Sequence, residues 1–178
     1  MNIETHGPHR TLLLGGIRSG KSAEAERRLA AYPAVTYVAT AARRDGDADW
    51  ASRIEAHRRR RPPGWTTVET ADLAAVLGSA NGPVLVDGVG GWLTAAMDRT
   101  GAWDAPERVH GEVDALVAAW RDTAARVVAV SEEVGLALVP TTRAGRLFAD
   151  ALGLLNQRLA AHADAVALVV AGRVLDLP

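Results

Sequence analysis

Short apolar runs recur along the chain, separated by longer stretches with helical spacing. Residues 11–14, 35–39, 83–87, 126–131 and 165–171 are each too short for a helix and are near-continuously apolar. That pattern predicts strands buried on both faces. Residues 65–69 alternate and predict a further strand, and 174–177 a closing edge strand. Helices are predicted over 21–31, ending before Pro33, over 50–60, ending before Pro62 and Pro63, and over 72–77, 91–97, 106–121 and 144–162. The helix at 106 has proline just inside its start, where the missing N–H costs nothing. Strands alternating with helices predict an α/β fold, a mostly parallel sheet with helices on both faces. In such sheets the ligand lies at the carboxyl ends of the strands. The polar residues 1–10 are expected to form a flexible N-terminus, and 11–178 a single domain.

Composition narrows the chemistry. The 178 residues are 48% hydrophobic and 23% charged, enough apolar content to bury a core. No apolar run approaches the roughly 18 residues of a membrane span. The first ten residues lack the charged-then-apolar pattern of a secretory signal, so a cytoplasmic location is expected. There is no cysteine, which excludes disulfides, thiolate metal sites and thiol catalysis. The five histidines lack paired ligand spacing, so no structural zinc site is expected. A net charge of −1 gives no electrostatic case for a nucleic-acid partner. Of the 20 basic residues, 19 are arginine and one is lysine, Lys21. Lysine is a compact point charge on a flexible stem, arginine a planar fork, so a lone lysine in an arginine-rich chain marks a position where the point charge matters.

Lys21 falls in Gly15-Gly16-Ile17-Arg18-Ser19-Gly20-Lys21-Ser22, which fits G-x-x-x-x-G-K-[ST] between a predicted strand and a predicted helix. This is the phosphate-binding loop, and it makes the predicted fold P-loop NTPase-like. Its glycines let backbone N–H groups curl round a phosphate, and the following helix adds its positive end. Lys21 is expected to reach the β- and γ-phosphates of ATP or GTP, and the Ser22 hydroxyl to bind Mg²⁺. A second metal-holding group is expected from Asp87, the carboxylate that ends the apolar run Val84-Leu85-Val86. Strand ends also carry Asp simply as a turn former.

Arg53 and His57 stand one helical turn apart, ahead of the basic run Arg58 to Arg61. Imidazole can serve as base or nucleophile at neutral pH, and guanidinium groups suit a triphosphate. Trp50, Ile54 and His57 also share one stripe, so spacing leaves a packed helix residue as the other reading. Arg18 can touch phosphate or face solvent. Glu69, at a predicted strand end, can bind ribose or serve structure, and Thr40 can line the cleft. Asn156 is expected to hydrogen-bond a strand end rather than a ligand, and Trp92, Trp103 and Trp120 to pack in the core or against a subunit.

The ordered set resembles the bifunctional adenosylcobinamide kinase / adenosylcobinamide-phosphate guanylyltransferase family. The resemblance runs from Leu12 to about Leu177. It comprises the loop GGIRSGKS, the block of Arg53, Ile54, His57, Arg61, Pro62 and Trp65, the strand ending in Asp87, and Trp92-Leu93-Thr94. Its most distinctive part is Glu133-Val134-Gly135, Val139-Pro140, Gly145-Arg146, Phe148, Asp150, Asn156-Gln157-Arg158-Leu159-Ala160 and Val169-Val170-Ala171-Gly172. The resemblance implies two reactions: phosphorylation of adenosylcobinamide by ATP or GTP, then transfer of GMP from GTP to give adenosylcobinamide-GDP. It implies a histidine–GMP intermediate on the residue matching His57, and a homotrimer. The chain departs from the pattern at Glu132, where Asn is usual, and across Gly88 to Gly91, where Cys and bulkier residues are usual. Two alternatives stand beside this reading: a kinase that has lost guanylyl transfer, and a P-loop regulatory protein. The second lacks an N-K-x-D motif, which a single lysine at position 21 cannot supply.

Overall fold

A computed structural model describes residues 9–40 and 62–178. Seven strands form one sheet: β1 (Arg10–Gly15), β2 (Thr36–Ala39), β3 (Thr66–Glu69), β4 (Val84–Asp87), β5 (Val127–Glu132), β6 (Ala165–Val170) and β7 (Arg173–Leu177). Their order across the sheet is β3-β2-β4-β5-β1-β6-β7. Every pairing is parallel except β6 with β7. The helices are α1 (Lys21–Leu29), α2 (Leu73–Ser79), α3 (Val89–Thr100), α4 (His110–Asp122) and α5 (Arg143–Ala160), with a 3₁₀ turn at Pro106–Val109.

Alternation along the strands sorts the core into two layers. Leu13 of β1, Leu85 of β4 and Val128 and Val130 of β5 face α1, packing with Ala25, Leu29, Tyr37 and Trp65. Leu12, Leu14, Val84, Val86, Val127 and Ala129 face the other way, against α2 to α5. Trp92 and Trp120 are buried in that second layer, as expected of them, and Trp120 Nε1 donates to Leu159 O at 3.0 Å. The mostly parallel sheet covered on both faces is thus the one the apolar runs predict.

Several boundaries differ from the pattern. β1 begins at Arg10, inside the segment expected to be loose, because Asp164 holds the Arg10 backbone N–H at 2.7 Å and its guanidinium at 3.1 Å. The single helix expected over 106–121 splits, with Pro106 starting a 3₁₀ turn and α4 following from His110. α3 starts at Val89, earlier than the expected 91, and His162 lies in the turn after α5. The helix expected over 50–60 lies outside the described residues, and with it Arg53 and His57.

Glu24 on α1 is buried and caught between two arginines. Arg27 donates to it at 2.6 and 2.8 Å, and Arg28 at 2.8 Å. The Arg27 hydrogen bond, aided by Arg28 and opposed by burial, lowers its pKa from the ordinary 4.5. A carboxyl lowered by folding stabilises the fold above its unfolded pKa and loses that contribution as pH falls through the folded one. Glu24→Gln is therefore expected to cost about 1 kcal/mol at neutral pH, a figure discounted because Arg27 is exposed. The gap should close as pH falls below 4.5. Urea unfolding of both proteins between neutral and acidic pH measures it, and a gap constant with pH would refute the charge's role.

Candidate functional site

The carboxyl ends of β1, β4 and β5 bring the sequence motifs together. β1 ends at Gly15, and α1 begins at Lys21, so Gly16 to Gly20 form the connecting loop. Arg18 and Gly20 adopt positive φ, 56° and 99°, the kind of backbone step from which anion-binding nests of N–H groups are built. Ser19 N donates to Gly16 O at 3.3 Å and Glu24 N to Gly20 O at 3.0 Å. Lys21 Nζ reaches back to Gly16 O at 3.1 Å. Ile17 is 88% exposed at the loop tip. The Ser19 hydroxyl is buried and, among the described residues, has no hydrogen-bond partner. A buried orphan hydroxyl in a loop at a helix start is what an anion-binding loop offers a phosphate oxygen.

Ser22 and Asp87, far apart in sequence, meet here. Ser22 Oγ donates to Asp87 Oδ1 at 3.0 Å, and Tyr37 OH donates to Asp87 Oδ2. The register sets this: β4 lies one strand beyond β5, which pairs directly with β1. A hydroxyl and a carboxylate are the hard oxygen ligands that Mg²⁺ takes. Among the described residues no three His, Asp or Glu side chains gather to hold a metal. A cation held by Ser22 and Asp87 would take its remaining ligands from water and substrate phosphate, the usual habit of Mg²⁺.

Other expectations resolve structurally. Thr40 is buried and donates to Gly88 O and, at 3.3 Å, to Asp87 O, so it ties the turn after β4. Asn156 on α5 donates to Glu132 O at 3.0 Å and accepts from Ser131 Oγ at 2.6 Å, the strand-end role expected of it. Glu69 ends β3 beside Ala39, at the sheet edge away from the loop. The two departures, Glu132 and the glycines after Asp87, meet in space: Glu132 Oε2 accepts from Gly90 N at 3.2 Å.

Three residues contribute in roles that the sequence did not indicate. Tyr37 holds Asp87; a hydroxyl on an otherwise apolar strand was the available signal. Gly90 admits the Glu132 carboxylate. Gly172 supports the loop: its N–H donates to Ser19 O at 2.7 Å. Ala171 and Gly172 both have positive φ, 50° and 73°, the two-residue hairpin turn that matches strand twist. A cleft of about 620 Å³ opens between α5 and the segment after β5, with Glu133, Arg146, Asp150 and Gln157 among its walls.

Comparison with known proteins gives a consistent picture. Residues 11–177 match the family described as cobinamide kinase / cobinamide phosphate guanyltransferase. The chain is 40% identical over 173 residues to the bifunctional adenosylcobalamin biosynthesis protein CobP of Pseudomonas aeruginosa, covering 94% of this chain and 96% of that one. It is 37% identical to the bifunctional adenosylcobalamin biosynthesis protein CobU of Salmonella typhimurium, over 90% of this chain and 95% of the relative. The CobU protein of Escherichia coli is likewise 37% identical, over 90% and 95%.

The loop geometry can be checked by itself. A Cβ at Gly20 would sit 3.2 Å from Gly172 Cα in a backbone conformation that L side chains rarely adopt, while one at Gly16 meets nothing within 4 Å. Gly20→Ala should cost about 1–2 kcal/mol and Gly16→Ala a few tenths. Equal losses in denaturant unfolding would contradict the described loop.

Proposed function

The chain belongs to the cobinamide kinase / cobinamide phosphate guanyltransferase family, and from that premise we propose how its nucleotide loop serves both activities. The chain is an enzyme with both, a kinase and a guanyltransferase of adenosylcobalamin biosynthesis. The observation that carries the detailed reading is the Ser22–Asp87 pair beside the coiled loop. In the kinase step ATP or GTP lies with its phosphates along residues Gly15 to Ser22. Backbone N–H groups and Ser19 Oγ bind phosphate oxygens, and Lys21 leaves Gly16 O to neutralise the β- and γ-phosphates. Ser22 and Asp87 would hold Mg²⁺, which when bound offsets charge developing on the phosphates. The hydroxyl of adenosylcobinamide attacks the γ-phosphorus, an O–P bond forms, and the nucleoside diphosphate leaves.

In the transferase step the imidazole of His57 attacks the α-phosphorus of GTP and pyrophosphate leaves. The phosphate of adenosylcobinamide phosphate then displaces the histidine, giving adenosylcobinamide-GDP. Splitting the transfer in two is the gain from a covalent nucleophile. Arg53, four residues before His57, joins the nucleotide site, and both assignments are supported by the resemblance of their sequence block. Glu69 was expected to join them, but it ends the edge strand β3, four strands from β1 and its loop, so it is left out of the site. A cytoplasmic homo-oligomer, trimeric by the same resemblance, completes the reading. Exposed Leu136, Leu138 and Val139 supply apolar surface of the kind subunit contacts use.

Intact-protein mass after incubation with GTP and Mg²⁺, followed by peptide mapping, tests this. An acid-labile GMP adduct on His57 is expected. His57→Ala should keep cobinamide phosphorylation and lose GMP transfer by at least about a thousandfold, the scale for removing a nucleophile. Equal loss of both activities, or an adduct elsewhere, would sink the assignment.

A further inference from the structure

We propose that Glu132 is a positioning residue for the phosphate and metal site: its carboxylate grips the amide of Gly90 and so fixes the turn that carries Asp87. This rests on the reading of Ser22 and Asp87 as the metal-holding pair. Asp87 ends β4 and α3 begins two residues later, so 87–90 is a tight strand-to-helix turn. It is tied at three places. Gly88 N donates to Val130 O at 3.3 Å, Thr40 Oγ1 donates to the carbonyls of Asp87 and Gly88, and Gly90 N donates to Glu132 Oε2 at 3.2 Å. Only the third uses a charged group. It takes one of the N–H groups that a helix start leaves without an intrahelical partner, at the positive end of the helix.

Glu132 is itself well anchored. Its Cα pairs with that of Gly15, where the nucleotide loop begins, and its carbonyl is held by Asn156 from α5. The side chain therefore links the strand between the two halves of the site to the helix that follows Asp87. Gly90 completes the arrangement: a Cβ there would run into Glu132 Oε2 and lie 3.3 Å from Leu152 Cδ2. Because the carboxylate is the mobile end of a side chain, an added methyl would displace it from Gly90 N. Losing the carboxylate and crowding residue 90 thus break the same contact by different routes.

The experiment is ATP binding to the full chain by titration calorimetry, with and without Mg²⁺, for wild type, Glu132→Ala, Glu132→Gln, Gly90→Ala and the Glu132→Ala/Gly90→Ala double variant. In Glu132→Ala the strengthening of ATP binding by Mg²⁺ should fall about tenfold, the scale of one hydrogen bond to a charged group. Mg²⁺-free affinity should stay within about twofold of wild type, since the loop itself is untouched. Glu132→Gln keeps an acceptor oxygen and should lose less. Gly90→Ala should match Glu132→Ala, and the double variant should be no worse than either, the non-additivity of a shared contact. A full Mg²⁺ gain in Glu132→Ala, even with a lowered melting temperature, would overturn the proposal, as would additive losses. Tighter ATP binding in Glu132→Ala with and without Mg²⁺ would overturn it too, and would mark the carboxylate as a repelling charge. A wild type with no Mg²⁺ gain would overturn instead the underlying reading of Ser22 and Asp87.

Discussion

Parallel pairing of β1 with β5 on one side and β6 on the other governs which groups can meet in this protein. Parallel strands all present their carboxyl ends at the same edge of the sheet. The register then sets Gly15 beside Glu132 and beside Val169, while Asp87 pairs with Val130. A slip of one residue would turn Leu12 and Leu14 toward α1 and Leu13 away from it, emptying both core layers at once. The hydrophobic layers thus hold the register, and the register holds Ser22 against Asp87. No local feature of residues 20–23 could place a carboxylate from position 87 within 3.0 Å of a serine hydroxyl.

Much of this was legible in the sequence, for physical reasons. Strands buried on both faces leave continuous apolar runs, so five of the seven strands stood out by composition, and Thr66–Glu69 by its alternation. The loop at Gly15 to Ser22 was legible because Gly20 meets a positive φ close against Gly172 and because its chemistry needs lysine and serine at fixed places. Pairwise geometry between distant segments was not legible. That Tyr37 serves Asp87, that Gly172 supports Ser19, and that Gly90 makes room for Glu132 depend on sheet order and twist. Sheet order is a property of the whole chain. The split of the expected 106–121 helix has a local cause, since Pro106 opens a 3₁₀ turn before His110 begins the regular helix.

The buried polar groups fall in a telling place. Among the described residues Thr11, Ser19, Glu24, Thr40, Ser131 and Asn156 are buried, and all but Thr11, near the start of β1, lie around the loop, the first turn of α1 and the strand ends. Burying a polar group is costly unless it is paired. Here most are paired with backbone or with one another: Thr40 with the turn after Asp87, Asn156 with Ser131 and the Glu132 carbonyl, Glu24 with two arginines. They hold backbone in position and need not touch a substrate. Ser19 differs in having a buried hydroxyl with no partner among the described residues, and it lies within the coiled loop. The contrast separates groups that build the site from a group the site presents.

The antiparallel edge strand fits the same logic. All five residues of β7 are exposed, so it adds little to the core. What β7 fixes is the turn before it. A two-residue hairpin with positive φ at Ala171 and Gly172 brings the Gly172 N–H to Ser19 O at 2.7 Å. With the Ser19 carbonyl tied there, the Gly20 N–H points the opposite way, because one trans peptide plane carries both. Gly20 must then pass close to Gly172, and only glycine meets the approach and the dihedral together. The seventh strand therefore acts on the loop at Gly15 to Ser22 through one backbone hydrogen bond, at the side opposite the Ser22–Asp87 pair. The loop is thus held from both sides: the hairpin turn after β6 fixes Ser19 O, and on the β5 side the Glu133 N–H donates to Gly15 O at 3.1 Å.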